Sequence, residues 1–183
     1  MGHRFAELAF TPKVRAMQEL QGSRAHYARM EGGEPFNDEL TEREAQFLSE
    51  RDSLYMSSVS ETGWPYVQHR GGPPGFVKVI DPRTIGFADF RGNRQYVSVG
   101  NLASNDRVAL ILVDYPNRSR LKLLGHAQVI APEQTELLAA LQTPGYRGKV
   151  ERGLLIKVAA FDWNCPQHIT PRYTQAEWQA ATG

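Results

Sequence analysis

Between Ser53 and Phe161 the chain is cut into short apolar or alternating runs by turn-forming residues, and this punctuation limits its fold more than any other feature. "SLYMSSVS" alternates and stops at "ETGWP", after which "YVQHR" resumes, the pattern of a β-hairpin. "GFVKVI" ends at "DPRT", where Asp-Pro favours a turn, and "IGFADF" takes up the next strand. "RVALILVDY" is almost continuously apolar, which predicts burial on both faces; "RLKLLGHAQVI" alternates again and "GLLIKVAAF" closes the series. About six strands with short connections, in a chain holding 16 glycines and 11 prolines, predict an antiparallel barrel or sandwich. Strands do not alternate regularly with helices, so a doubly wound nucleotide-binding fold is not expected.

Helical signals frame the strands. Thr11 before Pro12 is an N-cap with proline at the first helical position, and Val14, Met17 and Leu20 then share one face of a helix expected to run to about Met30. "LTEREAQFLSE" carries a capping box, Thr41 and Glu44, opening a short helix. "PEQTELLAALQ" predicts a helix after Ala131, and "TQAEWQAAT" a short one near the C-terminus. The expected division is a helical extension over residues 1–40 and one β domain over residues 41–183.

Charge excludes one class of partner. Lys plus Arg (21) almost balances Asp plus Glu (20), so bulk electrostatic binding of nucleic acid is not expected. No apolar run approaches the ~20 residues of a spanning helix, and the first residues lack the layout of a secretory signal. The lone Cys165 rules out an internal disulfide framework and fits a reducing cytoplasm. No His/Cys spacing of a metal site occurs, and Cys165 reads as a packed thiol rather than a nucleophile.

"PYVQHRGGPPGFVKVIDP" has the glycines and cations of a phosphate cradle, Arg70 and Lys78 among them. Pro73 and Pro74 lack the N–H groups such a cradle uses, and Lys78 is not followed by Ser or Thr, so a P-loop is excluded. Two readings remain: a wide hairpin loop, or a bare backbone that lets a flat ring lie against the strand starting at Phe76. "DFRGNRQYVSVGNLASN" leaves a strand through Gly92 and enters a short helix over Tyr96 to Leu102. Asn93, Arg94 and Gln95 then stand at that helix's first turn, where free N–H groups attract an anion and Arg94 adds a two-pronged contact; a solvated turn is the plainer alternative. Arg118, Arg120 and Lys122 would share one strand face, either solvated or turned to an anionic ligand or second subunit.

Taken in order, "PYVQHRGGPPGFVKVI", "FADFRGNRQYVSVGNL", "NRSRLKLLG" and "FDWNCPQHITPRY" resemble the pyridoxamine 5'-phosphate oxidase-like family of FMN-binding split β-barrels, over roughly Thr41 to Thr174. The resemblance implies a mainly-β, α+β fold, an antiparallel split barrel with flanking short helices, forming a homodimer with two FMN sites at the interface. By that resemblance Phe76 and Val77 run along the ring edge and Lys78 matches the family's strand lysine. Ala88 and Asp89 match the next strand, with Asn93, Arg94 and Gln95 at the phosphate. Arg120 falls where the family has glutamine, and Trp163 approaches the flavin with Gln167 and His168 nearby.

The departures shape the functional expectation. Pro73 occupies the place of a family arginine, a role left to Arg70, and Gln95 replaces a lysine. Arg172 has no histidine after it to complete the pyridoxamine phosphate pattern, so FMN binding is expected and vitamin B6 oxidation is not. The implied activity is FMN-dependent, NAD(P)H- or oxygen-linked redox of a small molecule, with no catalytic residue singled out. Open alternatives are a non-catalytic flavin-storage module, a haem-binding relative using His69 or His168, and a structural dimer with an empty cleft.

Overall fold

Thr11 opens its helix as its sequence directs: its side chain accepts from the Val14 N–H, and Pro12 takes the first helical position. A computed structural model describes residues 2–163 and 165–182. The N-terminal part runs β1 (Gly2–His3), α1 (Arg4–Ala9), α2 (Pro12–Leu20), α3 (Arg24–Tyr27), a 3-10 turn and β2 (Pro35–Phe36), with β1 and β2 paired in parallel. The expected helix to Met30 is therefore two helices and a turn. The break falls at Gly22, whose φ of 72° is left-handed and ends α2. The face carrying Val14, Met17 and Leu20 is exposed, while Gln18 is buried and accepts from Arg24 Nη1 at 3.0 Å.

The remainder is one seven-stranded antiparallel sheet with short helices on it. After α4 (Glu42–Ser49) come β3 (Ser53–Val59), β4 (Pro65–Gly71), β5 (Lys78–Asp81) and β6 (Thr84–Phe90). Then follow α5 (Val97–Ser104), β7 (Arg107–Asp114), β8 (Ser119–Ile130), α6 (Thr135–Leu141), β9 (Val150–Trp163) and α7 (Gln175–Thr182). The strand order is β4-β3-β7-β8-β9-β6-β5, so the sheet is not closed, and its curl makes a mainly-β split barrel. Leu54, Met56, Phe87, Leu112, Leu121, Leu123 and Ile156 fill the interior. At Gly125 a bulge bends β8, and a Cβ there would sit 2.6 Å from the Lys157 carbonyl, so only glycine fits.

Two strand expectations are corrected. β7 alternates buried and more exposed positions instead of being buried on both faces; Val108, Leu110 and Leu112 point inward, while Ala109, Ile111 and Val113 lie on the outer face. The loop of residues 72–77 is not a hairpin, because β4 and β5 occupy opposite ends of the sheet. Its bare backbone is used locally. The Phe76 N–H donates to the Pro73 carbonyl at 2.9 Å around Pro74 and Gly75, the proline–glycine order of a type II turn, with Gly75 at φ 79°.

Candidate functional site

Curling the sheet brings β4 to β6, and a cleft of about 250 Å3 opens there beside the start of α5. Arg70 of β4 reaches across the split to ion-pair with Asp89 of β6 through Nη1 and Oδ1. Arg152 of β9 approaches the other Asp89 oxygen at 3.4 Å and ion-pairs with Glu151 at 3.0 Å. Burial pushes the Asp89 carboxyl above its ordinary range and Glu151 adds to this, while Arg70 and Arg152 pull it back.

α5 supplies the opposite wall. Its Ser98 hydroxyl donates to Gln68 Oε1 at 2.7 Å and its Asn101 amide donates to the Ser58 hydroxyl at 3.0 Å, which fixes the helix to β4 and β3. Tyr96 holds the N-cap position at φ 54°, ψ 22°, and no side chain caps the helix. The first N–H groups of α5 are thus left for a ligand or solvent at the positive end of the dipole. Asn93 Oδ1 accepts from the Gln95 N–H at 3.2 Å and shapes the turn. Arg94, exposed at the mouth, donates from Nε to the Tyr96 hydroxyl at 3.2 Å; that hydrogen bond, then the charges of Tyr96 and Glu151, push its pKa further up.

Of the residues singled out from sequence, Arg70, Asp89, Asn93, Arg94 and Gln95 share this cleft. Ala88 is buried beside Asp89 on β6. The structure does not bring the others there. Phe76 and Val77 are in the barrel core, the Phe76 ring meeting Phe87 at 6.0 Å, so their side chains face apolar neighbours. Lys78 donates to the Gly75 carbonyl at 2.6 Å at the far edge of the sheet. Trp163 donates to Glu44 and packs edge-on against Phe47, with the Arg43 guanidinium over its ring.

Arg120 lies on β8 opposite Val113, and its buried Nε has no hydrogen-bond partner among the described residues. The charged row is broken, because Arg118 sits in the turn before β8 at φ 52° and Lys122 is paired with Asp162 at 2.9 Å. Gln167 and His168 lie exposed after β9, and His69 is exposed with its ring edge toward Tyr55. Cys165 is exposed, not packed. Among the described residues no three His, Cys, Asp or Glu side chains gather to hold a metal.

The family model for pyridoxamine 5'-phosphate oxidase matches residues 40–152, more than half of the chain and every residue lining the cleft. The chain belongs to the pyridoxamine 5'-phosphate oxidase family. No curated protein sequence matches it. Among solved structures, a candidate pyridoxamine 5'-phosphate oxidase from Lactobacillus delbrueckii superposes with a TM-score of 0.52 at 19% identity, covering 68% of this chain and 94% of that one. HupZ from Group A Streptococcus superposes with a TM-score of 0.52 at 12% identity, covering 73% and 99%. At these identities the likeness shows a shared fold. The match begins at residue 40, after β2 and just before α4.

Sequence reasoning missed Gln68, Tyr96, Glu151 and Arg152. Gln68 and Arg70 share one strand face, so the alternation of "YVQHR" carried the signal for the first. Glu151 and Arg152 precede the apolar run of β9 and carry no local mark; β9 starts at Val150, earlier than "GLLIKVAAF" suggests.

Proposed function

We propose that the chain is an FMN-dependent oxidoreductase acting on a small molecule as a homodimer, each cleft completed at the seam between two copies. Arg94 beside the uncapped start of α5 is the observation that carries this: together they present a cation and free backbone donors in one small space. Arg70 and Arg94 line the cleft with Asp89 and Glu151, and two further arginines outside that lining pair with these carboxylates, Arg152 with both and Arg91 with Glu151 at 3.6 Å. The surplus of positive charge suits a phosphate monoester of about −1.5 to −2. The donor set therefore fits the phosphate end of FMN, held by Arg94 with Asn93, Gln95 and the first turn of α5.

The ring needs more room than one chain offers. A cleft of about 250 Å3 is below the roughly 300–1,000 Å3 of small-molecule sites. The outer face of β3, β4 and β7 presents Tyr55 (41% exposed), Val67 (60%) and, beside them, Ile111, an apolar patch suited to a second copy. When bound, flavin supplies hydride and single-electron chemistry; the chain supplies position and electrostatics. A cytoplasmic location accords with the lone cysteine. Among the described residues no helix is long and apolar enough to cross a membrane.

The test is the absorbance spectrum of the purified protein, with release and mass identification of any chromophore, followed by anaerobic mixing with NADH and NADPH. A flavin band that bleaches with either nicotinamide supports the proposal. Bound flavin that neither bleaches leaves a binding module, and a Soret band in place of the flavin band overturns the cofactor assignment.

A further inference from the structure

Two non-glycine residues in the cleft wall adopt left-handed backbone conformations two positions apart, Arg94 at φ 62° and Tyr96 at φ 54°. Gly92 and Asn93, which tolerate that region far better, stand immediately before them and do not take it. The strained positions are thus held by an arginine and a tyrosine although a glycine and an asparagine are at hand. Here the side chains form a chain of contacts. Arg94 Nε donates to the Tyr96 hydroxyl at 3.2 Å, and that hydroxyl donates to Glu151 Oε2 at 3.4 Å. The Arg152 guanidinium lies 4.8 Å from the centre of the Tyr96 ring and binds the same Glu151 Oε2 at 3.0 Å.

We propose that Tyr96 is a positioning residue for phosphate recognition: anchored by Glu151 and Arg152, it accepts from Arg94 Nε and leaves both Arg94 Nη groups directed at a phosphate beside the start of α5. This rests on the FMN reading above and adds to it a residue that acts through Arg94. A guanidinium tethered at Nε loses little freedom when its two Nη groups engage an oxyanion, so the tether acts on affinity for the phosphate and not for the ring.

The experiment measures dissociation constants for FMN and for riboflavin, which lacks the phosphate, by flavin fluorescence. It uses the full chain and its Tyr96→Phe, Arg94→Ala and doubly substituted forms. Tyr96→Phe is expected to weaken FMN roughly fivefold, the worth of one ordinary hydrogen bond, and to leave riboflavin unchanged. In the Arg94→Ala background it is expected to add nothing. Tyr96→Gly, which relieves the left-handed strain, guards against misfolding and is expected to lose FMN affinity at least as far. An FMN constant unmoved by Tyr96→Phe, equal losses for FMN and riboflavin, or effects that add to those of Arg94→Ala each overturn the assignment of Tyr96. Failure of the unsubstituted protein to bind FMN overturns the cofactor reading itself and this inference with it.

Discussion

Trp163 donates from Nε1 to Glu44 Oε1 at 2.7 Å, joining residues 119 positions apart and tying the end of β9 to the first turn of α4. Glu44 Oε2 meanwhile accepts from both the N–H and the hydroxyl of Thr41, at 3.0 and 2.5 Å. One buried carboxylate thus closes a helix N-terminus and fixes an indole. Glu44→Ala leaves the Trp163 and Thr41 donors without an acceptor, and it is expected to lower stability by about 2–3 kcal/mol in urea unfolding followed by tryptophan fluorescence.

The same carboxylate gives a pH dependence of known sign. Burial alone would raise the Glu44 pKa, but donation from Thr41 and Trp163 outweighs it and holds the value below the ordinary 4.5. The unfolded chain then binds more protons than the native one, so the contribution is complete above the ordinary value and lost as pH falls through the native one. The acid limb of a Tm-against-pH curve is expected to be shallower in Glu44→Gln than in the unsubstituted protein.

Arg70 and Asp89 form the bridge across the barrel's split, and removing one side leaves the other buried. Arg70→Ala is expected to cost roughly 3 kcal/mol at neutral pH, the low end for a broken buried pair. Burial already raises Asp89 above its ordinary 3.8, and losing Arg70 raises it further. A native pKa above the unfolded one means that the native state takes up the proton first, so stability returns as pH falls toward the unfolded value. Urea midpoints at neutral and mildly acid pH are expected to converge between variant and parent; a gap that widens on acidification would contradict the bridge.

Gln95 stands in the cleft where the resemblance places a lysine. Gln95→Lys adds a cation beside Arg94 without removing a contact that the Gln95 side chain makes. FMN is expected to bind roughly two- to fivefold tighter at low salt, in keeping with an exposed charge pair. The gain is expected to fade near 1 M salt, where the screening length is about 3 Å. Riboflavin titrated in parallel should show no gain.

How far the sequence discloses this molecule depends on the range of the interaction concerned. The β3–β4 hairpin and the Thr11 and Glu44 signals are local chemistry, and short stretches such as "ETGWP" or "LTERE" suffice to place them. That β4 and β5 end at opposite edges of the sheet is a long-range outcome, and nothing within "HRGGPPGFVK" announces it. Phe76 and Val77 resemble ring-edge residues in the linear pattern, yet the turn at Gly75 sends their side chains inward. Arg94 was legible because its neighbours spell a strand-to-helix turn. Glu151 and Arg152 were not, since only the β6–β9 pairing sets Arg152 opposite Asp89.

The outer sheet face tests the dimer directly. Pairing aligns His69, Tyr55, Ile111 and Lys122 in one row across β4, β3, β7 and β8, with Val67, Ser57, Ala109 and Leu124 in the next. In a two-fold assembly each patch meets its own copy, so one substitution introduces two charges at the interface. Tyr55→Glu is therefore expected to shift sedimentation from dimer to monomer while the circular dichroism of the sheet is kept. Because one chain's cleft is smaller than a flavin site requires, the monomer is also expected to bind FMN at least tenfold more weakly, a loss of about 1.4 kcal/mol. An unsubstituted protein that sediments as a monomer would overturn the dimer, and a Tyr55→Glu dimer with unaltered FMN affinity would place the seam elsewhere.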